Sequence, residues 1–183
     1  MSTLVGRNKT ALLVIDVQNG VVEGAYNLDS VVANINVAVA KARAAGAPVI
    51  WVQHSEEEMP IDSDGWQIVP QLSPAPGERT VQKVYKSSFE ATNLEEILAG
   101  LKVNHVILTG MQTNNCIRHT THSGLERGYD VTLVSDAHTT TGYEWGGHKI
   151  EASEIVNEAN DNFGGYDLPG RGSRAVTAEA LTF

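Results

Sequence analysis

Three side chains that lie far apart in the 183-residue chain could together carry out nucleophilic chemistry. Cys116 is the only cysteine, and its thiolate would be a strong nucleophile. Asp16 could remove the thiol proton as a general base, and Lys83 could stabilise the resulting negative charges. Taken singly, each has a more ordinary interpretation: a small buried side chain, a cap for a loop and a solvated lysine. The chemistry therefore depends on whether the fold brings the three together.

Apolar runs that alternate with amphipathic stretches indicate the elements that would position these side chains. Strands are predicted over residues 11–15, 48–52, 105–109 and 131–135, and Lys83 ends a further short stretch at 80–83. Helices are predicted from Leu28 to about residue 46, over 92–101 behind a capping box at 92–95, over 114–127 and over 148–160. Cys116 would lie in the first turn of the third helix, where the helix dipole favours a thiolate.

The alternation of strands and helices predicts the fold class. It is an α/β domain of three layers, α/β/α, with a mostly parallel, Rossmann-like central sheet and right-handed crossovers. One domain is expected over residues 1–183, with an irregular excursion at 55–79 and an irregular tail from residue 162. In such a sheet, ligands bind outside the carboxyl ends of the strands, where Asp16, Lys83 and the 110–116 loop are predicted to lie.

Composition limits the possible partners. The chain has 22 acidic and 13 basic side chains and a net charge of −9, so it offers no basic stripe for nucleic acid. No secretion signal is evident, and no apolar run approaches the roughly 20 residues that span a bilayer. A single cysteine excludes an intrachain disulfide. We therefore expect a cytoplasmic protein that binds a small-molecule substrate and neither nucleic acid nor membrane.

Four segments resemble, in order and spacing, those of the isochorismatase-like cysteine hydrolases. The run LLVIDVQ at residues 12–18 is similar to the opening strand of that family, and Lys83 with Phe89 is similar to its lysine segment. TGMQTNNCI at residues 109–117 resembles its nucleophile loop, and residues 128–137 resemble the strand that follows. The resemblance extends from about residue 10 to residue 160, and it implies the isochorismatase-like hydrolase fold.

The resemblance implies a catalytic triad of Asp16, Lys83 and Cys116. It also implies a cis peptide bond between Met111 and Gln112, which would help to form an oxyanion hole together with the backbone N–H of Cys116. The implied activity is hydrolysis of the C–N bond of a small-molecule amide through a thioester, without an organic cofactor. A homo-oligomer, either a dimer or a tetramer, is implied as well.

Two departures from the family pattern concern charge and metal. Asn114 stands where the family commonly has an acid, so less negative charge is expected near the thiol. Nicotinamidases of the family hold a metal with an Asp-x-His motif, which the stretch QHSE at residues 53–56 lacks. His54 with residues 56–58 could still bind a cation, but no metal is expected. His119 and His122 share a predicted helix face, but two ligands do not complete a zinc site.

Other interpretations of the same residues remain open. Lys86 is the alternative to Lys83, although its spacing from Phe89 fits the family less well. The activity could be hydrolysis of an enol ether, which in this family can proceed without a nucleophilic cysteine. The chain could also be an inactive binding subunit or carry a redox-sensing thiol. Five aromatic side chains are either pocket walls or core and interface residues: Trp51, Trp66, Tyr85, Phe89 and Trp145.

Overall fold

Seven of nine strands form one sheet in the computed structural model, which describes residues 2–183. In chain order the strands are β1 (Lys9–Ile15), β2 (Val49–His54), β3 (Arg79–Lys83), β4 (Val103–Met111), β5 (Asp130–Thr139), β6 (Tyr143–Trp145), β7 (His148–Ile150), β8 (Asp167–Leu168) and β9 (Arg171–Val176). The sheet order is β3-β2-β1-β4-β5-β9-β8, and only β8 and β9 pair antiparallel within it. Strands β6 and β7 form a separate antiparallel hairpin.

Helices cover both faces of this sheet. They are α1 (Leu28–Ala44), α2 (Leu94–Gly100), α3 (Arg118–Glu126) and α4 (Ala152–Phe163), and a π-helical turn (Thr113–Ile117) precedes α3. Apolar residues of α1 pack on one face, and those of α2, α3 and α4 pack on the other. Residues 11–15 of β1 are fully buried because both faces are covered, which explains their unbroken apolar run. The prediction of a three-layer, mostly parallel α/β fold is confirmed.

The central strands are longer than the apolar runs predicted. Strand β4 continues past residue 109 to Met111, and β5 continues past residue 135 to Thr139. The helix predicted over 114–127 is divided into the π-helical turn and α3. Within residues 2–183, no helix combines the length and apolar character needed to cross a bilayer.

The final helix was predicted to begin at residue 148, and that prediction is wrong. Residues 148–150 form β7, which pairs with β6 around a turn at Gly146 and Gly147, whose φ angles are 57° and 78°. Two successive positive φ angles are typical of a tight hairpin turn, and glycine adopts them without strain. Helix α4 begins at Ala152 because Glu151 and Glu154 form a capping box there.

The capping box predicted at residues 92–95 is also wrong. Asn93 is the N-cap of α2, and no side-chain bond caps the helix at that position. The Thr92 hydroxyl instead accepts the Leu94 N–H at 3.2 Å and donates to the Ser88 carbonyl at 2.6 Å. The threonine therefore joins the start of α2 to the loop before it.

The chain after residue 162 was expected to be irregular, and the structure corrects this. Helix α4 continues to Phe163, and β9 then joins the central sheet parallel to β5. The segment RGSRAV contains little apolar sequence because β9 lies near the sheet edge. Its buried Ser173 donates to the Phe163 carbonyl at 2.8 Å, which ties the strand to the end of α4.

Residues 55–78 connect β2 to β3 and contain only turns, bends and isolated β-bridges. Val69 and Leu72 pack into the apolar cluster under α1, and Trp66 is buried. An isolated bridge joins Ile68 to Gln18, which lies just after β1. The segment, called the 55–78 excursion below, is therefore held against the carboxyl end of the sheet.

Candidate active site

Asp16, Lys83 and Cys116 meet at the carboxyl ends of three strands. Asp16 follows β1, Lys83 ends β3, and Cys116 lies in the π-helical turn after β4. The ammonium nitrogen of Lys83, Nζ, is 2.6 Å from Asp16 Oδ2 and 3.3 Å from Cys116 Sγ. Asp16 is 1% exposed and Lys83 is 2% exposed. The arrangement is a buried ion pair in contact with a thiol.

The backbone at the ends of β1 and β4 positions this group. Asp16 has a φ of 53°, a left-handed conformation that aspartate tolerates better than most residues, and β1 ends there. Gly110 of β4 has a φ of 115° and pairs with Ile15 of β1. A Cβ atom on Gly110 would lie 2.0 Å from the Ile15 carbonyl oxygen. Only glycine lets the two strands approach this closely beside the site.

The loop between β4 and α3 carries the thiol. The peptide bond between Met111 and Gln112 is cis. The Gln112 carbonyl accepts the N–H groups of Asn115 and Ile117 at 3.0 and 3.2 Å, which closes the turn around Cys116. Of the three residues predicted to form an oxyanion hole, Gln112 and Cys116 line the cavity described below, and Met111 is fully buried.

A buried hydrogen-bond chain supports this turn from the β5 side. Thr113 Oγ1 is 2.9 Å from His138 Nδ1, and His138 Nε2 is 3.0 Å from Asn160 Oδ1. An amide oxygen only accepts, so His138 donates from Nε2 and accepts the Thr113 hydroxyl at Nδ1. Burial lowers the pKa of His138, in keeping with this neutral ring. Asn114, at the position where the family commonly has an acid, accepts the Thr140 hydroxyl at 2.8 Å and does not line the cavity.

Burial controls the charge states at the site. Burial first, and then the negative charge of Asp16, raise the pKa of Cys116 to about 12, although Lys83 opposes the shift. Burial also raises the pKa of Asp16, which makes its carboxylate a stronger base, and Lys83 again opposes the shift. The raised pKa favours a protonated thiol at neutral pH, whereas the helix dipole considered from the sequence favours the thiolate.

The raised pKa predicts how the thiol reacts with iodoacetamide. Only the thiolate is alkylated, so the rate constant should rise about tenfold per pH unit from pH 7 to pH 10 without reaching a plateau. A small peptide with one free cysteine should level off above about pH 9. The measurement is the pseudo-first-order rate of mass increase on the single cysteine of the chain. A plateau near pH 7 would show that the resting site holds a thiolate.

His54 joins the three predicted residues. It ends β2, between the strands that carry Asp16 and Lys83, and its Nδ1 is 3.5 Å from Lys83 Nζ. Its Nε2 is 3.6 Å from Glu56 Oε2 in the 55–78 excursion. From the sequence, His54 was considered only for metal or cation binding, in a stretch that lacks the family's metal motif. Its position at the end of a strand next to β1 was the signal that could have placed it beside the triad.

Gln18 is a second residue whose role the sequence did not reveal. It is fully buried, and its Nε2 donates to the carbonyl groups of His54 and Trp66 at 2.9 and 2.8 Å. Its Oε1 accepts the His54 N–H at 2.7 Å. Gln53 also donates to the Trp66 carbonyl, at 3.0 Å. Gln18, two residues after Asp16, therefore fastens the 55–78 excursion over the site.

Replacing Gln18 with leucine should loosen this attachment. The change leaves the N–H and carbonyl of His54 without their partner, so the free energy of unfolding should fall by about 2–3 kcal/mol. Cleavage by a protease within residues 55–78 should accelerate in native buffer. Gln67→Leu, in the exposed part of the same segment, is the matched control and should change neither quantity. Equal stability of the two variants in urea would contradict the role assigned to Gln18.

A cavity of about 720 Å³ opens at this end of the sheet. Asp16, His54 and Cys116 lie on its wall together with residues from the connections after five strands, β1 to β5: Gly20, Val21, Glu23, Glu56, Glu58, Met59, Gly65, Lys86, Gln112, Asn115 and Thr141. Gly20 and Gly65 pack against Met59 so closely that a Cβ on Gly20 would lie 2.9 Å from the Met59 sulfur. The cavity is large enough for a small molecule, and the thiol is accessible from it.

The other candidates from the sequence lie elsewhere or have other contacts. Lys86 lines the cavity, but Lys83 is the lysine in contact with Asp16 and Cys116. Three of the five aromatic candidates are buried and two are exposed, and the described cavity wall includes none of them: Trp51, Trp66, Phe89, Tyr85 and Trp145.

Metal ligands are not grouped in the part of the chain that the structure describes. Among residues 2–183, no set of three or more His, Cys, Asp or Glu side chains could hold an ion. His119 is exposed, and its Nδ1 is 2.8 Å from the Asn115 carbonyl. His122 packs edge-on against the rings of Phe163 and Tyr166. Both histidines therefore have contacts within the fold.

Comparison with known proteins agrees with this fold. The isochorismatase domain family matches residues 10–158. The chain is 33% identical over 135 residues to the secreted isochorismatase effector Isc1 of Verticillium dahliae, covering 70% of this chain and 71% of that protein. It is 27% identical over 179 residues to the ureidoacrylate amidohydrolase RutB of Pseudomonas syringae, and the match covers 75% of this chain and 73% of that protein. An isochorismatase structure from Pseudomonas putida superposes with a TM-score of 0.85 at 25% identity, and the match covers 97% of this chain and 94% of that one.

The chain belongs to the isochorismatase family, because the family match covers most of its length. One of the relatives above is named a secreted effector, so the cytoplasmic location expected from the sequence stays a prediction.

Proposed function

We propose that this protein hydrolyses the C–N bond of a small-molecule amide through a thioester on Cys116. The observation that carries the proposal is the buried Asp16–Lys83 ion pair, whose ammonium group also contacts Cys116 Sγ at the wall of an open cavity. A carboxylate made more basic by burial beside a thiol is an arrangement suited to nucleophilic catalysis. The relative named an amidohydrolase supports an amide as the substrate class.

The reaction begins with a proton transfer. Asp16 accepts the proton of Cys116 as Sγ attacks the carbonyl carbon, and Lys83 stabilises the charge that develops on sulfur. The tetrahedral intermediate collapses when Asp16 gives the proton to the departing nitrogen, which leaves an acyl group on Sγ. Water then attacks the thioester with Asp16 as base, and the acid leaves as the thiol regains its proton. The net reaction is amide plus water to carboxylic acid plus amine.

The oxyanion of the tetrahedral intermediate needs hydrogen-bond donors. We assign this role to backbone N–H groups at Gln112 and Cys116, which both line the cavity. The cis bond between Met111 and Gln112 sets the direction of the chain just before the π-helical turn. Removing a donor of this kind costs an enzyme about 10²- to 10³-fold in kcat.

The test is release of ammonia from a panel of small primary amides by the wild-type protein, Cys116→Ala and Cys116→Ser. We expect turnover by the wild type and a loss of about 10⁴-fold or more in both variants, because neither provides a thiolate. An acyl adduct of the wild type, trapped by acid and located on Cys116 by mass spectrometry, would identify the thioester. Full ammonia release by Cys116→Ala would contradict the thioester mechanism. No ammonia from any amide, together with turnover of an enol ether, would instead favour enol-ether hydrolysis, which does not require the thiol.

The assembly of the protein stays a prediction. The family resemblance implies a dimer or a tetramer, and sedimentation velocity measures which of these forms. A monomer at micromolar concentration would contradict this expectation.

A further inference from the structure

The cavity wall carries more negative than positive side chains. Glu23, Glu56 and Glu58 line the cavity and are exposed, whereas Lys86 is the one lysine of the described wall. Asp16 also lines the cavity, but its charge is paired with that of Lys83. The wall therefore has an excess of two carboxylates, or of one when the His54 ring is protonated. An acidic wall around a nucleophile attracts cations and repels anions.

Two of these glutamates lie on a backbone turn that is attached to the site. Two hydrogen bonds between Glu56 and Met59, at 3.1 and 3.3 Å, close a tight turn that carries Glu56 and Glu58. The Ser55 N–H donates to the Lys83 carbonyl at 3.0 Å, which attaches this turn to the end of β3. Glu56 also lies beside His54, which contacts Lys83 Nζ. The acidic turn is therefore joined directly to the elements that carry the ion pair.

A second observation indicates that a ligand enters this cavity. Asp16 Oδ1 is buried, and the donors that the fold offers to its carboxylate within residues 2–183 are the Lys83 ammonium group, at Oδ2, and the Cys116 thiol. A thiol is a weak donor and gives up its proton in the proposed reaction, so a stronger donor on a bound ligand would stabilise this buried carboxylate. The N–H of an amide whose carbonyl carbon lies over Sγ is such a donor.

We propose that the substrate is an amide that carries a positively charged group, such as a primary ammonium, a few bonds from the carbonyl carbon. That the substrate is an amide rests on the proposed function. That it carries a positive charge rests on the three glutamates of the cavity wall, Glu23, Glu56 and Glu58. The carboxylates are exposed, so each contributes a modest factor of about two- to fivefold, and the preference weakens as salt screens it.

The first test measures charge selectivity at the thiol and does not depend on turnover. The probes are two methanethiosulfonates of similar size, one with a trimethylammonium group and one with a sulfonate group. Each rate constant for labelling Cys116 is divided by that for free cysteine under the same conditions. We expect the normalised ratio of cationic to anionic probe to be about 10 at low salt and to approach 1 at 1 M salt.

Charge-neutralising variants assign the selectivity to the wall. The double variant Glu56→Gln/Glu58→Gln should lower the ratio about five- to tenfold. Glu57→Gln is the matched control, because Glu57 is exposed in the same turn but does not line the cavity, and it should retain the wild-type ratio. A wild-type ratio of 1 or less, or equal effects of the control and the double variant, would overturn the proposal.

The second test uses three primary amides of equal chain length: 5-aminopentanamide, hexanamide and 5-carbamoylpentanoate. Ammonia release should have the largest kcat/KM for the cationic amide and the smallest for the anionic one, and Glu56→Gln/Glu58→Gln should reduce the difference. Equal kcat/KM for all three would overturn the inference and leave amide hydrolysis standing. Selective labelling with no hydrolysis of any amide would instead contradict the proposed function and leave the charge preference of the cavity standing.

Discussion

Replacing Lys83 with methionine is expected to destabilise the protein and to abolish most of its activity. In the wild type, Lys83 Nζ lies 2.6 Å from Asp16 Oδ2. Methionine has a similar volume but no charge, so it leaves the buried Asp16 carboxylate without its counter-ion. Breaking a buried ion pair in this way costs about 3–5 kcal/mol of unfolding free energy. The loss of charge stabilisation at Sγ should lower kcat/KM by about 10²- to 10³-fold. Urea unfolding and ammonia release measure the two effects.

The stability loss of Lys83→Met should depend on pH. Burial already raises the pKa of Asp16, and removing Lys83 removes the main opposing cause. The folded variant then binds a proton that the unfolded chain releases, so its stability should fall as pH rises from about 4 towards the raised pKa. The deficit relative to the wild type should be smaller at pH 5 than at pH 8.

A double variant separates the ion pair from catalysis. Asp16→Asn combined with Lys83→Met removes both charges, so most of the lost stability should return, because a neutral pair has no unpaired charge. Activity should not return, because neither the base nor the ammonium group is present. A double variant as unstable as Lys83→Met would show that packing rather than charge causes the deficit.

Replacing Gly110 with alanine is the second change with a large expected effect. The added Cβ would lie 2.0 Å from the Ile15 carbonyl oxygen and 2.8 Å from the Ile15 backbone nitrogen and carbonyl carbon. These are backbone atoms of a fully buried strand, so no side chain can move to relieve the clash, and the φ of 115° is itself unfavourable for alanine. We expect the free energy of unfolding to fall by about 4 kcal/mol or more.

Gly100→Ala is the matched control for this prediction. Gly100 is the last residue of α2, and a Cβ there would contact nothing within 4 Å. Alanine should therefore leave the free energy of unfolding unchanged or raise it by up to about 1 kcal/mol. Circular dichroism during urea titration compares the two variants, and a Gly110→Ala protein with wild-type stability would contradict the close approach of β1 and β4.

The order of apolar runs along the chain was sufficient to predict the central layers. A buried parallel strand needs an unbroken apolar run, and the runs at residues 11–15, 48–52, 105–109 and 131–135 all became strands of the sheet. Strand β9 was not predicted, because a strand near the sheet edge can contain polar residues such as the exposed Arg174. The start of α4 was missed because the hairpin before it depends on glycine conformations that apolar periodicity does not report.

The sequence predicted three residues of the site but not the roles of two others. Asp16, Lys83 and Cys116 were named from the sequence because their segments have a recognisable order and spacing. His54 and Gln18 were not, because a histidine at a strand end and a buried glutamine acquire their roles only from neighbours distant in the chain. The pKa of the thiol was not predictable either, since the helix dipole can be inferred from sequence but the depth of burial, which raises the pKa of Cys116, cannot.

The sequence by itself determined the fold class, through local patterns of residue type, and the family and the three residues in contact, through the resemblance of its segments to those of a known family. The tertiary structure alone decided that burial raises the pKa of Cys116, that Gln18 holds the 55–78 excursion, and that Glu23, Glu56 and Glu58 share one cavity wall. Each of those properties depends on the distance between residues separated in the chain and on how much water the fold excludes from them.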